Sequence, residues 1–127
     1  MSVKKAVKDL LEKEFSSYIW TVDYFEGEGN RAVVIGGAGT EPTKDDVKMR
    51  FPNIQVWLRS KNFSDVEETA EKIFEKLHGK TDLEVDDSKV FYIEALGEPI
   101  PVGYEKGYME YSINFKITFM KEVINNE

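Results

Sequence analysis

At 127 residues the chain is long enough for one hydrophobic core and too short for two. Apolar residues make up 41% and charged residues 32%, the balance of a packed domain with a solvated surface, which excludes disorder along the whole length. Acids outnumber bases 24 to 17, and the resulting charge of −7 sets aside general affinity for a phosphate backbone; the lack of cysteine excludes disulfides, thiolate nucleophiles and cysteine-bound zinc.

The sequence from Met1 to Asp9 returns to charge too quickly for a secretory apolar core, and no later stretch is apolar over a membrane-spanning length. No membrane contact is expected. Val3, Ala6, Val7, Leu10 and Leu11 then fall on one helical stripe with lysines and acids on the other side, which predicts a first amphipathic helix capped by Ser2. Between Tyr18 and Phe25, Trp20, Val22 and Tyr24 alternate with Thr21 and Asp23, the period of a strand. Glycines at 27 and 29 interrupt it, Arg31 to Ile35 resumes it, and the pair reads as a hairpin.

Gly36 to Pro52 contains Gly37, Gly39 and Pro42 with no sustained period, so a long loop is expected there. Asn53 to Ser60 alternates again. Ile54, Val56 and Leu58 fall on one side, Gln55, Trp57 and Arg59 on the other, which puts a tryptophan among polar neighbours. Ser64 and Glu67 have the spacing of a capping box at the head of a second helix, whose apolar stripe is Val66, Ala70, Ile73, Phe74 and Leu77 and whose stop is Gly79.

Lys89 to Leu96 reads as a strand, and Gly97 to Gly103, with Pro99 and Pro101, as a stiff extended connection. Glu110 to Lys121 has the most regular pattern of all, with Tyr111, Ile113, Phe115, Ile117 and Phe119 on one surface. A strand with one apolar face needs a cover, and the two helices supply it. The expected fold is α+β: one antiparallel or mixed sheet of about five strands with two helices packed on one face, in one domain over residues 1–127.

Motifs for chemistry are sparse. The run Val33 to Thr40 lacks both the Gly-Lys-Ser/Thr ending of a phosphate loop and a following helix, so it reads as a plain loop. His78 is the single histidine, placed in the last turn of the second helix where a positive charge suits the dipole. Asp82, Glu84, Asp86 and Asp87 lack the glycine and closing glutamate of a helical calcium loop and read as a solvated turn. No catalytic set, metal site or cofactor is expected, and the chain is read as a non-enzyme.

Two features suit contact with another protein. Trp57 and Arg59 project together from the polar side of their strand, a pairing enriched at interface anchors; the competing reading has a neighbouring loop of the same chain covering Trp57. Charge is also segregated along the chain. Lys44, Lys48, Arg50, Arg59 and Lys61 stand against Asp45 and Asp46, while Asp82, Glu84, Asp86, Asp87, Glu94 and Glu98 stand against Lys89. These opposed segments are expected to meet between neighbouring copies in a head-to-tail ring. The candidate interface residues are Trp57, Arg59, Lys44, Lys48, Arg50, Asp86, Asp87 and Glu98.

Three segments in this order, Ile54 to Ser60, Glu98 to Tyr104 and Gly107 to Phe115, resemble the minor capsid or tail terminator proteins of tailed bacteriophages and prophages. The resemblance implies an α+β subunit that assembles as a ring, often a hexamer, on the head-proximal end of the tail tube, stopping tube polymerisation and joining tail to head. It implies the tail-tube and head-tail connector proteins as partners, DNA at most passing through the lumen, and a place in the virion after assembly in the host cytoplasm. The loop from Gly36 to Pro52, with Lys44, Lys48 and Arg50, would face the tube, the lumen or the neighbouring copy. The rival readings are a head-closure (stopper) protein, a non-viral cytoplasmic ligand-binding α+β module, and a small hydrolase using surface carboxylates.

Overall fold

A helical period near the N-terminus and a two-residue period over much of the rest give two helices and eight strands in the computed structural model, which describes residues 3–25, 27–36, 49–85 and 88–121. In chain order they are α1 (Val3–Glu14), β1 (Ile19–Val22), β2 (Arg31–Gly36), β3 (Met49–Arg50), β4 (Asn53–Ser60), α2 (Phe63–Leu77), β5 (Thr81–Val85), β6 (Ser88–Ala95), β7 (Ile100–Glu105) and β8 (Tyr108–Lys121). All strands belong to one mixed sheet of order β1-β2-β4-β8-β6-β5, with β3 and β7 also paired to β8. The fold is α+β.

β8 is the spine of this sheet. Along one side it pairs with β4 and then β3, along the other with β7 and then β6. Its alternation places Ile113, Phe115 and Ile117 in the core with no exposed surface, opposite Val56 and Ile54 of β4 and Ile93 of β6. Val7 and Leu11 of α1 and Val66, Ala70, Ile73 and Leu77 of α2 close over that surface, burying the stripes their spacing predicts.

The sheet has more strands than the expected five or so, because three of them carry weak local signals. β3 lies in the stretch read as a loop and is only Met49 and Arg50. β5 takes up Asp82 and Glu84 of the acidic run read as a solvated turn; it is an edge strand on β6 with Thr81 and Asp82 exposed and Leu83 packed against the core, too short a stretch to show a period. β7 takes up the proline-bearing connection. It tolerates Pro101 because it too lies at an edge, with a register shift between Pro101 and Gly103. Lys106 and Gly107 close the β7–β8 hairpin with φ of 52° and 87°, the left-handed pair of a two-residue turn that glycine adopts without strain.

β1 and β2 do not form a hairpin. They pair in parallel, Ile19 opposite Arg31 through Val22 opposite Val34. The connection from Asp23 to Asn30 is long enough to return the chain to the end of the sheet where β1 began, and the parallel register keeps Trp20 beside Ala32 under α1. Trp20 Nε1 donates to the Phe15 carbonyl at 2.9 Å, so its one polar atom is satisfied in the core.

The cap of α2 is Asn62 and not Ser64. Asn62 has extended φ and ψ of −91° and 103°, and its Oδ1 accepts from the Asp65 amide at 3.0 Å, while the Ser64 hydroxyl donates to the same oxygen at 3.2 Å. Asn62→Ala is expected to lower stability by about 1 kcal/mol, read from urea denaturation. Gly79 takes φ of +82° just past the helix, as its position predicts. His78 serves as an acceptor there: its Nδ1 receives the Ala95 amide of β6 at 2.9 Å and its ring stacks on Phe74.

Tyr18, buried between α1 and β1, donates its hydroxyl to Asp65 Oδ2 at 2.7 Å and so ties the first helix to the head of the second. Burial, and then the Asp65 carboxylate, hold its phenol well above the ordinary tyrosine range. A raised folded-state value favours the neutral phenol, so this contribution to stability is whole below about pH 10, the ordinary tyrosine value, and is lost as pH climbs above it. Denaturant midpoints should therefore fall between pH 9 and 11 more steeply in the native chain than in Tyr18→Phe. Equal slopes would show that the phenol titrates alike in both states.

Candidate functional site

The helices cover one face of the sheet, and the cross-strand register defines what the other face presents. Thr21, Val33, Trp57, Ser112 and Ile100 lie side by side across β1, β2, β4, β8 and β7. Arg31, Arg59 and Glu110 form the next row on one side; Ile35, Gln55 and Asn114 form the row on the other. Trp57 thus stands at the centre of an apolar band between a charged row and a polar one.

The chain leaving β1 comes over this face. Tyr24 and Phe25 join Val33, Ile35 and Trp57 around a shallow apolar depression of about 240 Å³. Trp57 is half-buried there, with Nε1 donating to Gln55 Oε1 at 2.9 Å. A neighbouring segment of the same chain flanks the ring, which lines an open surface.

Arg59 is held more tightly. Its guanidinium lies over the Phe25 ring at 4.9 Å and over the Tyr108 ring at 5.0 Å, and Nη2 donates to the Gly27 carbonyl. Arg59 Nε is buried with no hydrogen-bond partner among the described residues. Tyr108 is itself anchored, its hydroxyl accepting from the Gly29 amide at 2.8 Å, and Lys61 Nζ approaches the same ring at 5.4 Å. A cup of about 340 Å³ opens beside the guanidinium, with Arg59, Lys61 and Lys106 facing Glu28, Glu105 and Glu110. Burial lifts the Glu110 carboxyl above the usual carboxylate range, Arg59 opposing the shift and Glu105 adding to it. A pre-oriented guanidinium beside a tryptophan is the combination in which contact energy concentrates at protein interfaces.

Of the candidate residues, Trp57 and Arg59 are brought together on this face. Arg50 is not. It sits in β3 opposite Phe119, whereas Arg59 sits opposite Glu110; nine positions along β8 put about 30 Å between them. Arg50 and Arg59 of the basic segment read from the sequence therefore lie apart. Glu98 is exposed in the turn between β6 and β7, and Lys44, Lys48, Asp86 and Asp87 lie outside the described residues. Phe25 and Tyr108, the rings that clamp Arg59, are not among the candidate residues. The Lys106-Gly107 turn signals the hairpin that sets Tyr108 opposite Glu105, but only the pairing of β4 with β8 brings Tyr108 to the arginine.

A mixed sheet roofed on one side by two helices, with an aromatic and charged face on the other, defines a small α+β protein. Residues 6–121 match the family described as bacteriophage tail terminator protein, a span running from α1 to the end of β8, and the chain belongs to that family. It is a structural protein of a phage tail, a role that implies association with other phage tail or head proteins. No curated protein matches the chain. Among the described residues, no helix is long and apolar enough to cross a membrane.

Proposed function

We propose that this chain is a ring-forming subunit that caps the head-proximal end of the tail tube, stops its polymerisation and joins tail to head. The observation that carries the reading is the family match over residues 6–121. The Trp57–Arg59 face supports it: the cup beside Arg59 opens at the β7–β8 hairpin, at one end of the strands, where an axial neighbour such as the tube would meet it. Lys44, Lys48, Arg50, Asp86, Asp87 and Glu98 remain contact residues in this proposal, and the role of the chain is non-catalytic. In the assembled virion the ring, a hexamer by resemblance, surrounds a lumen through which DNA passes.

The test is to add the purified chain to polymerising tail-tube protein and to follow tube length by negative-stain electron microscopy, with the mass of the chain measured at low and high salt. Expected are shorter tubes bearing a cap at one end and a discrete oligomer. Tubes of unchanged length at saturating chain would sink the capping role, and a strictly monomeric mass at both salts, with tube protein present, would sink the ring.

A further inference from the structure

Two edges of the sheet differ in a way that suits them to each other. Among the described residues β1 pairs only with β2, and β7 pairs only with β8. All six residues of β7 are exposed, Ile100, Val102 and Tyr104 among them at 49%, 44% and 63%. Tyr104 leans on the exposed ring of Phe63 at the head of α2, with centroids 5.2 Å apart. A bare strand edge of this apolar character is a template for pairing with another chain.

The β1 edge offers a groove rather than a ridge. Lys4, Lys5 and Lys8 of α1 line it together with Trp20, Thr21 and Val22, around a volume of about 660 Å³. The helix next to β7 has the opposite character. α2 carries Asp65, Glu67, Glu68, Glu71 and Glu75 against Lys72 and Lys76, and Glu67 accepts from the hydroxyl of Tyr111, the residue opposite Pro101 of β7. Lysines, with the acids Asp23, Asp9 and Glu12 that they pair with, flank one edge, and a surplus of acids flanks the other.

We infer that the occupant of the β1 groove is a second copy of this chain, whose β7 edge adds to β1 while its α2 lies against α1. The inference deepens the proposed ring and rests on it. α1 packs over β1 and β2 and α2 over β8, β4 and β6, so both helix layers stay on the same side of the joined sheet. The contact uses two different surfaces, the head-to-tail kind that closes into a ring by rotation. Following the pairings across the sheet, β7 runs antiparallel to β1 within one copy; rotation about an axis along the strands preserves that sense, so the joint is antiparallel. Pro101 and the register shift beside it restrict regular pairing to Val102–Glu105, matching the four residues of β1. Facing also agrees. Tyr104 and Trp20 both point to the helix side, Glu105 and Ile19 both to the opposite side.

The chain contains no cysteine, so a double variant Ile19→Cys and Glu105→Cys supplies the only thiols. Both positions are exposed, and within one copy three strands lie between β1 and β7, about 19 Å in all, beyond the reach of a disulfide. Mild oxidation in the presence of tail-tube protein should give a ladder on denaturing gels from dimer up to the ring, collapsed by reductant, while each single-cysteine variant gives no ladder. A second double variant, Ile19→Cys with Asp82→Cys, probes the rival edge at β5. An oligomer of ring mass with no ladder from the first pair, or with a ladder from the β5 pair instead, overturns the β7–β1 joint and leaves the ring standing. Monomer under native conditions throughout overturns the joint and the ring together.

Discussion

Phe115→Ala should lower folding stability by about 3–5 kcal/mol, a large share of the total for a chain of this size. Phe115 is the largest of the fully buried side chains, sits midway along β8, and faces Ile54 on one neighbouring strand and Ala95 on the other. Removing its ring leaves a void that strands held by main-chain pairing on both sides cannot close. Urea denaturation followed by far-UV circular dichroism reads the loss directly. A change below about 1 kcal/mol would mean that the sheet and helices repack freely and that the core is looser than its burial indicates.

Trp57→Ala should act elsewhere. The residue is half-buried on the face away from the helices, and none of the core side chains under α1 and α2 depends on it. Its replacement is expected to leave the circular dichroism spectrum and thermal midpoint close to native while weakening attachment to tail-tube protein by about 2 kcal/mol, roughly thirtyfold. Titration by sedimentation velocity at constant salt measures it. Loss of the fold with no defect in attachment among the molecules that do fold would assign Trp57 to packing within one copy.

The elements read correctly from the sequence are those in which one buried face enforces a period. β8 and β4 alternate because their even and odd positions meet different surroundings, and α2 shows its stripe because Val66, Ala70, Ile73 and Leu77 must all reach the same sheet. β5 and β7 lie at edges where little is buried, so their sequences are free to look like turns. The parallel pairing of β1 with β2 was hidden for a different reason: a glycine-bearing connection signals a reversal, and only the return of the chain across the sheet distinguishes it from a hairpin.

The candidate surface divides in the same way. Trp57 and Arg59 were legible because alternation alone puts them side by side. The clamp on Arg59 was not, since it brings Phe25 from the segment after β1 and Tyr108 from the start of β8 to opposite sides of one guanidinium. Such a meeting depends on long-range topology, about which local periodicity is silent.

The central place of β8 bears on how each copy reaches its final form. Its partners β3, β4, β6 and β7 are drawn from positions 49 to 105, so much of the hydrogen bonding in the sheet waits on encounters between distant parts of the polypeptide. Chains dominated by such encounters fold in about milliseconds to seconds, slower than helical proteins of equal size. During that interval the partner strands are bare, and at the concentrations a growing particle requires, sticking between unfinished copies competes with maturation. A subunit organised in this way has a kinetic stake in completing its spine before it meets its neighbours.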